Sequence, residues 1–199
     1  MKILAFTDIH GSVKAIHRVK QAVKLEKPDL ILFGGDITVF GRDLGRLMEE
    51  LDKIGQEVLI IDGNHETVVE LRKAASATKN VTFFNAKTRR IGNFLVIGYG
   101  VNGFSLRDQH FEDFISRIKH EFQPGDKIIM LSHGPPYGTK VDLIIDQHCG
   151  SKSLMDFIEK HHPVLVISGH LHETFNVQQN LGKTFVINPG PFGKIITIN

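Results

Sequence analysis

Short apolar runs alternate with amphipathic stretches along most of this chain. Five of the runs are uninterrupted and rich in β-branched residues, which predicts strands that are buried on both faces. They are residues 3–6, 30–33, 58–61, 128–131 and 164–167. Clusters of polar residues therefore appear mainly where the predicted strands end.

Amphipathic helices are predicted between the strands, because apolar residues recur there at helical spacing. Ser12 is expected to cap the first helix, and Thr67 with Glu70 is expected to form a capping box for the third, which runs to about Ala77. Pro163 is expected to end the fifth helix. The predicted apolar faces are, in chain order, Val13, Ile16, Val19 and Val23; Leu44, Leu47, Met48, Leu51 and Ile54; Phe111, Phe114, Ile115, Ile118 and Phe122; and Leu154, Met155 and Ile158.

Two pairs of predicted strands follow each other without an intervening helix. They are residues 81–85 with 94–99, and residues 184–188 with 195–198. A chain that mixes strand–helix–strand units with such pairs is predicted to have an α/β fold of two packed mixed β-sheets flanked by helices, an αββα sandwich. No linker or repeat interrupts the pattern, so residues 1–199 are predicted to form a single domain.

The composition limits the kinds of partner that the protein is expected to bind. The charge is nearly balanced, with 24 Lys and Arg against 22 Asp and Glu and a net charge of +2. The basic residues are scattered, which indicates no dedicated nucleic-acid surface. No apolar run approaches the roughly 18 residues that a spanning helix needs, so no membrane partner is expected. A single cysteine, Cys149, and the absence of a signal-peptide pattern after Met1 favour the cytoplasm. The sequence predicts no oligomeric state.

The polar clusters carry the candidate chemistry. In chain order they are Asp8-x-His10, Gly35-Asp36, Gly63-Asn64-His65-Glu66, His133 and Gly169-His170-x-His172. In open α/β sheets, ligands bind beyond the carboxyl ends of the strands, so clusters that are scattered in sequence are expected to meet at one rim. Carboxylate, imidazole and amide oxygen are the ligands that a water-activating divalent metal uses, and the clusters supply this mixture.

Each cluster alone has an ordinary structural interpretation. A single Asp after a strand is usually a helix cap or a turn residue, and a lone His at a strand end is more often a satisfied polar group than a metal ligand. Taken together, the clusters argue against these interpretations. Several unrelated caps, turns and polar residues would have to occur in this order by chance, nearly every one after an apolar run.

The ordered set resembles the calcineurin-like metallophosphoesterase superfamily, and most closely its small single-domain phosphodiesterases. The resemblance extends from Asp8 to His172 and implies that one metal is bound by Asp8, His10, Asp36 and His172. It implies that the other is bound by Asp36, Asn64, His133 and His170, with Asp36 bridging. It also implies a catalytic His65 that faces the substrate phosphate and binds no metal. An imidazole exchanges its proton near neutral pH, which suits that role.

The expected reaction is hydrolysis of a small phosphodiester by in-line attack of a hydroxide that bridges two divalent ions. Manganese is the expected metal, with iron, zinc or nickel as alternatives. A diester carries one charge, whereas the dianionic monoester generally needs cationic side chains as well. Near the clusters in sequence only Arg42 is such a candidate, and Tyr137 is a second candidate for substrate binding. Glu66 receives no role.

Three alternatives remain open from the sequence. A phosphomonoesterase or a nuclease would use the same metal site, and a scaffold protein, such as the retromer subunit of this superfamily, would bind metal without catalysis. The complete ligand set with His65 argues against the scaffold. A net charge of +2 on 199 residues argues against the nuclease, which needs basic grooves for its polyanionic substrate.

Overall fold

Two β-sheets pack face to face, and helices cover their outer faces. A computed structural model describes residues 1–100 and 105–198. The strands are β1 (Lys2–Phe6), β2 (Leu30–Phe33), β3 (Val58–Ile60), β4 (Val81–Phe83), β5 (Lys87–Ile91), β6 (Phe94–Tyr99), β7 (Lys127–Ser132), β8 (Leu143–Ile144), β9 (Gln147–His148), β10 (Leu165–Ile167), β11 (Gln178–Leu181), β12 (Thr184–Ile187) and β13 (Lys194–Thr197). The helices are α1 (Val13–Glu26), α2 (Leu44–Asp52), α3 (Val68–Ser76), α4 (Gln109–Ile118) and α5 (Lys152–His161).

The first sheet has the strand order β13-β1-β2-β3-β4, and the second has the order β11-β12-β10-β7-β6-β5. Within the first sheet β1 to β4 are parallel and β13 runs antiparallel to β1. Within the second, the inner strands β12, β10, β7 and β6 are parallel, whereas β11 and β5 are antiparallel edges. This architecture confirms the predicted αββα sandwich of two mixed sheets.

The uninterrupted apolar runs follow from burial on both faces of each sheet. In β1, Ile3 and Ala5 point between the sheets, whereas Leu4 and Phe6 pack beneath the helices on the outer face. All four are fully buried. Successive side chains of a strand point to opposite faces, so a strand covered on both sides has no position for a polar residue until it ends.

The two predicted strand pairs do not stay within one sheet. The chain crosses from the first sheet at β4 to the second at β5, which precedes β6, and it returns from β12 to β13. The sequence prediction missed the edge strands β5 and β11, because their sequences, KTRRI and QQNL, lack an apolar run. An edge strand has only one paired neighbour and tolerates polar side chains: Arg89 of β5, for example, forms an ion pair with Glu57 at 2.6 Å.

Most of the predicted helix ends are found in the structure. The Ser12 hydroxyl accepts a hydrogen bond from the backbone N–H of Ala15 at 3.2 Å, and Thr67 caps α3 in the same way. Three predicted apolar positions differ: Val13 is exposed at the start of α1, and Ile54 and Phe122 lie beyond the ends of α2 and α4. In the described part of the chain, no helix combines the length and the apolar character that a membrane span requires.

Candidate metal centre

The polar clusters converge beyond the carboxyl ends of five inner strands, as predicted. Backbone hydrogen bonds join the loops: Asp8 N–H donates to Gly35 O at 3.0 Å, His10 N–H to Asp36 O at 3.1 Å, and Gly169 N–H to His133 O at 2.8 Å. The potential ligand atoms form three overlapping groups, and within each group the atoms lie within 4.8 Å of one another. They are Asp8, His10 and His172; His10, Asp36 and His65; and Asp36, His133 and His170.

Asp36 occupies the middle of the centre. Its side chain is almost fully buried, and its Oδ2 atom lies 3.8 Å from His10 Nε2, 3.9 Å from His65 Nε2 and 3.5 Å from His133 Nε2. Its Oδ1 atom accepts the backbone N–H of His65 at 3.0 Å. One carboxylate therefore faces three imidazoles that come from three different loops.

Second partners orient two of the predicted ligand imidazoles. His10 Nδ1 lies 3.0 Å from Thr38 O, and His133 Nδ1 lies 2.8 Å from Gly34 O. A carbonyl oxygen only accepts, so each Nδ1 carries the hydrogen and each Nε2 faces the centre. Metal-binding histidines are typically held in this way by an outer hydrogen bond.

His65 has the opposite tautomer. Its Nδ1 accepts the backbone N–H of Phe40 at 3.1 Å, so the hydrogen of the neutral ring is assigned to Nε2, the atom that faces Asp36. A nitrogen that carries a hydrogen cannot coordinate a cation but can donate a hydrogen bond. The geometry therefore separates His65 from His10 and His133, in line with the predicted catalytic role.

The remaining predicted ligands complete two neighbouring sets of donor atoms. Asn64 Oδ1 lies 3.0 Å from His133 Nε2 and 2.8 Å from His170 Nδ1, while His10 Nε2 lies 2.8 Å from His172 Nε2. Carboxylate, imidazole and amide atoms thus converge with no thiolate among them, which is the donor mixture that fits divalent cations such as manganese, iron and zinc.

Burial and charge shift the protonation of these groups in opposite directions. Burial raises the pKa of Asp8. Burial also opposes ionisation of Asp36, yet its hydrogen bond to His133 holds the pKa of Asp36 below the ordinary value. Burial disfavours the His133 cation, but Asp36 raises the pKa of His133 to about 9. Burial lowers the pKa of His170 to about 4. Cation binding must therefore displace the His133 proton.

The ligand loops contain strained backbone. Asp8, His10, Asp36 and His170 all have left-handed φ angles, of 52°, 42°, 56° and 69°. Such conformations cost about 1–3 kcal/mol each and concentrate at functional sites. Close approach also requires Gly63, because a Cβ atom there would overlap the Asp36 carboxylate. No motif in the sequence predicted this strain.

The structure gives Glu66 a supporting role that the sequence prediction missed. The buried carboxylate accepts the backbone N–H of Thr38 at 2.7 Å and its hydroxyl at 2.5 Å, and the carbonyl of the same Thr38 accepts the His10 Nδ1 hydrogen. Burial raises the pKa of Glu66. The loop after β3, which carries Glu66, thus fixes the loop after β2, which carries Thr38. The loop after β2 in turn orients His10.

The two predicted substrate-binding residues form backbone hydrogen bonds away from the candidate ligands: Tyr137 N–H donates to Ser151 O and Arg42 N–H donates to Val39 O. Tyr137 lies 5.6 Å from the His148 ring and 4.8 Å from Lys152 Nζ, and it lines a groove beside α5. Arg42 is exposed in the loop that follows Phe40. Both assignments remain predictions.

A cleft that sequence reasoning did not anticipate opens beside Asn64. It has a volume of about 560 Å³, and its lining includes Tyr99, His110 and Arg117. His110 and Arg117 lie 23 and 16 positions before His133, the predicted ligand that is nearest in sequence, so no local motif marked them. In the structure, α4 carries both of them to the cleft.

Comparison with known proteins gives a consistent result. The family model described as calcineurin-like phosphoesterase matches residues 1–174. An uncharacterised protein of Methanocaldococcus jannaschii is 30% identical over 96% of this chain and 88% of its own length.

Solved structures share the fold at lower identity. A Thermus thermophilus protein aligns with a TM-score of 0.78 and 17% identity, over 95% of this chain and 88% of its own. A dimetal phosphatase from Danio rerio aligns with a TM-score of 0.63 and 12% identity, over 94% of this chain and 86% of its own.

Proposed function

Because the chain belongs to the calcineurin-like phosphoesterase family, we propose that it hydrolyses small phosphodiesters at a centre of two divalent ions. The observation that carries the proposal is the position of Asp36. Its carboxylate belongs to the group that contains His133 and His170, and it also lies 3.8 Å from Nε2 of His10, which belongs to the group that contains Asp8 and His172. The Danio rerio neighbour is a dimetal phosphatase, which supports two ions rather than one.

The ligand assignment follows these two groups. Asp8, His10 and His172 would hold one ion, Asn64, His133 and His170 would hold the other, and Asp36 would bind both. When bound, such ions lower the pKa of water and offset the charge of the phosphoryl oxygens. Manganese is our choice for activity, because the oxygen and nitrogen donors suit it.

His65 acts on the leaving group. Its Nε2 hydrogen faces the middle of the centre, and its Nδ1 is held by Phe40 N–H. As the bond from phosphorus to the leaving oxygen breaks and a water oxygen bonds to phosphorus, the Nε2–H of the neutral ring donates a hydrogen bond to the leaving oxygen. The proton that the water gives up passes to the leaving oxygen, and His65 keeps its own hydrogen throughout. A hydrogen-bond donor aimed at developing charge contributes about 10²–10³-fold to the rate.

The preference for diesters rests on charge. A diester brings one negative charge, which two divalent ions can offset, whereas a dianionic monoester generally needs cationic side chains as well. The experiment is a comparison of bis(p-nitrophenyl) phosphate with p-nitrophenyl phosphate, using metal-stripped protein with Mn²⁺ restored. A higher kcat/KM for the diester supports the proposal, and metal binding without any hydrolysis would instead identify a scaffold.

A monoesterase is a second candidate, and one observation favours it. Arg117 and His110 line the cleft beside Asn64, where a guanidinium could offset the extra charge of a monoester. Asp62 and Glu66 line the same cleft, and their negative charges oppose a dianion. Arg117→Gln separates the two candidates, because it should weaken monoester hydrolysis alone. Rapid, salt-sensitive cleavage of duplex DNA would instead favour the nuclease.

A further inference from the structure

Phe40 lies against the catalytic histidine at the mouth of the metal centre. The centroids of the Phe40 and His65 rings are 4.4 Å apart, and the ring planes are inclined by 34°. Phe40 is nevertheless 77% exposed. One face of its ring therefore rests on the imidazole, and most of the remaining surface is open to solvent.

The backbone at Phe40 is strained. Its φ angle is 51°, in the left-handed region that a bulky side chain rarely adopts. The conformation aims the Phe40 N–H at His65 Nδ1 at 3.1 Å. Any residue except proline would supply that N–H, and glycine would supply it without strain. The hydrogen bond therefore accounts for the backbone conformation but not for the aromatic ring.

The proposed role of His65 at the leaving group indicates which part of the substrate the Phe40 ring contacts. A leaving oxygen within reach of His65 Nε2 places its substituent beside the imidazole, and the neighbouring side chains there are His10, at 4.7 Å between centroids, and Phe40. His10 is edge-on to His65 and is held by Thr38 O, so Phe40 is the one of the two that offers an open ring face.

We propose that Phe40 is a stacking platform for a planar ring on the leaving alcohol, so that the preferred substrates are diesters of aryl or heteroaryl alcohols. This assignment rests on the proposed phosphodiesterase function and names its substrate class. Aromatic rings stack in offset or tilted arrangements with centroids 4.5–7 Å apart, and a solvent-exposed ring face can accept such a partner.

The first test compares two diesters that share the retained group and differ in the leaving group. One leaving group is aryl, the other is a fluorinated alkyl group of matched acidity, so that demand for a hydrogen bond to the leaving oxygen is equal. Phe40→Leu keeps an apolar side chain but removes the ring, and kcat/KM for the aryl diester should fall roughly 10-fold while the fluoroalkyl diester is unaffected. Phe40→Trp should retain the aryl preference.

The contrary outcomes are distinct. An equal loss for both diesters would show that the ring only supports His65, and unchanged rates would remove Phe40 from substrate binding; either result overturns the proposal. If the wild-type protein cleaves neither diester, the phosphodiesterase function fails. Thermal unfolding of each variant ensures that only folded protein is compared.

A binding measurement tests the platform without turnover. The 199-residue chain contains no tryptophan, so Phe40→Trp introduces a single indole at the proposed platform. In metal-loaded protein, p-nitrophenylphosphonate should quench its fluorescence with saturation. Leu25→Trp, at an 81% exposed position of α1, is the matched control and should show only linear collisional quenching. Equal quenching of both variants would contradict stacking at Phe40.

Discussion

The two halves of the metal centre differ in how firmly the fold holds their histidines. On one side, His133 is fully buried at the end of β7 and its Nδ1 is tied to Gly34 O at 2.8 Å. On the other, the side chain of His172 is 53% exposed, and its ring stacks on Phe175 with 4.9 Å between centroids. Rigid, hydrogen-bonded ligands lose little freedom when a cation binds, whereas exposed ligands must be ordered.

The comparison indicates that the His133 side is the more preorganised, although His10 on the other side is also held, by Thr38 O. The His133 side should retain its ion at low metal concentration, and the His172 side should exchange its ion more readily. Asp36 couples the two, since its carboxylate faces His10 and His133 alike.

The largest effect is expected from removing the negative charge of Asp36, which faces a histidine of each half. Asp36→Asn should lower the occupancy of both sites and reduce hydrolysis nearly to background. Asparagine tolerates the left-handed φ of 56°, so the backbone should persist. Elemental analysis after Mn²⁺ reconstitution measures the outcome.

Asp43→Asn is the matched control for this change, because Asp43 has the same φ of 56° but an exposed side chain. It should keep both metals and full activity. Two metals per chain retained in Asp36→Asn would contradict the shared role of Asp36.

The next effect concerns His65, which is proposed to bind neither ion. His65→Ala should keep normal metal content and lose about 10²–10³-fold in turnover, because it removes a hydrogen-bond donor to the leaving oxygen. The loss should be smaller for p-nitrophenol, which leaves without assistance, than for an alkyl alcohol. Equal losses for the two leaving groups would show that His65 stabilises the phosphoryl oxygens and does not act on the leaving oxygen.

Two single substitutions, one on each side, distinguish the two halves of the centre. His172→Ala should weaken metal affinity at one site by at least about 100-fold, because outer partners of ligands alone contribute about 10–100-fold. His133→Ala should weaken the other site and also lower the melting temperature, since it leaves the Asp36 charge buried without this partner. Calorimetric Mn²⁺ titrations of both variants measure the effects. Identical melting temperatures would disprove the proposed asymmetry.

The smallest effect is expected from the supporting carboxylate. Glu66→Ala removes the acceptor that fixes Thr38 and should weaken metal affinity on the His10 side about 10-fold. Glu66→Gln keeps one acceptor oxygen and should lose less. Glu70→Ala, in the exposed first turn of α3, is the control and should leave affinity unchanged. A loss confined to the His133 side would contradict the contact chain through Thr38.

The candidate ligands could be named from the sequence because burial of the strands before them makes them conspicuous, and their binding of metal remains a prediction. Strands covered on both faces admit no polar residue, so Asp8, Asp36 and His133 stand out where β1, β2 and β7 end. The predicted family membership and sandwich fold are confirmed. The number of domains, the metal and the compartment remain predictions.

Other features carried no local signal. The edge strands β5 and β11 have polar sequences, and the contacts of Glu66 and Phe40 depend on loops that meet only in three dimensions. Arg117 reaches the cleft beside Asn64 from α4. The spacing of apolar residues along the chain indicates which positions are buried. It does not indicate which distant loops are in contact.

The pairing of β1 with β13 has a consequence for synthesis on the ribosome. Lys2 pairs with Thr197 and Ala5 with Lys194, so β1 gains one of its two neighbours only after β2 to β12 have been made. Until then one edge of this apolar strand has no partner, and such an edge is a template for pairing with other chains. Nascent chains that stall before β13 are therefore expected to aggregate or to recruit chaperones, although the last strand contributes no metal ligand.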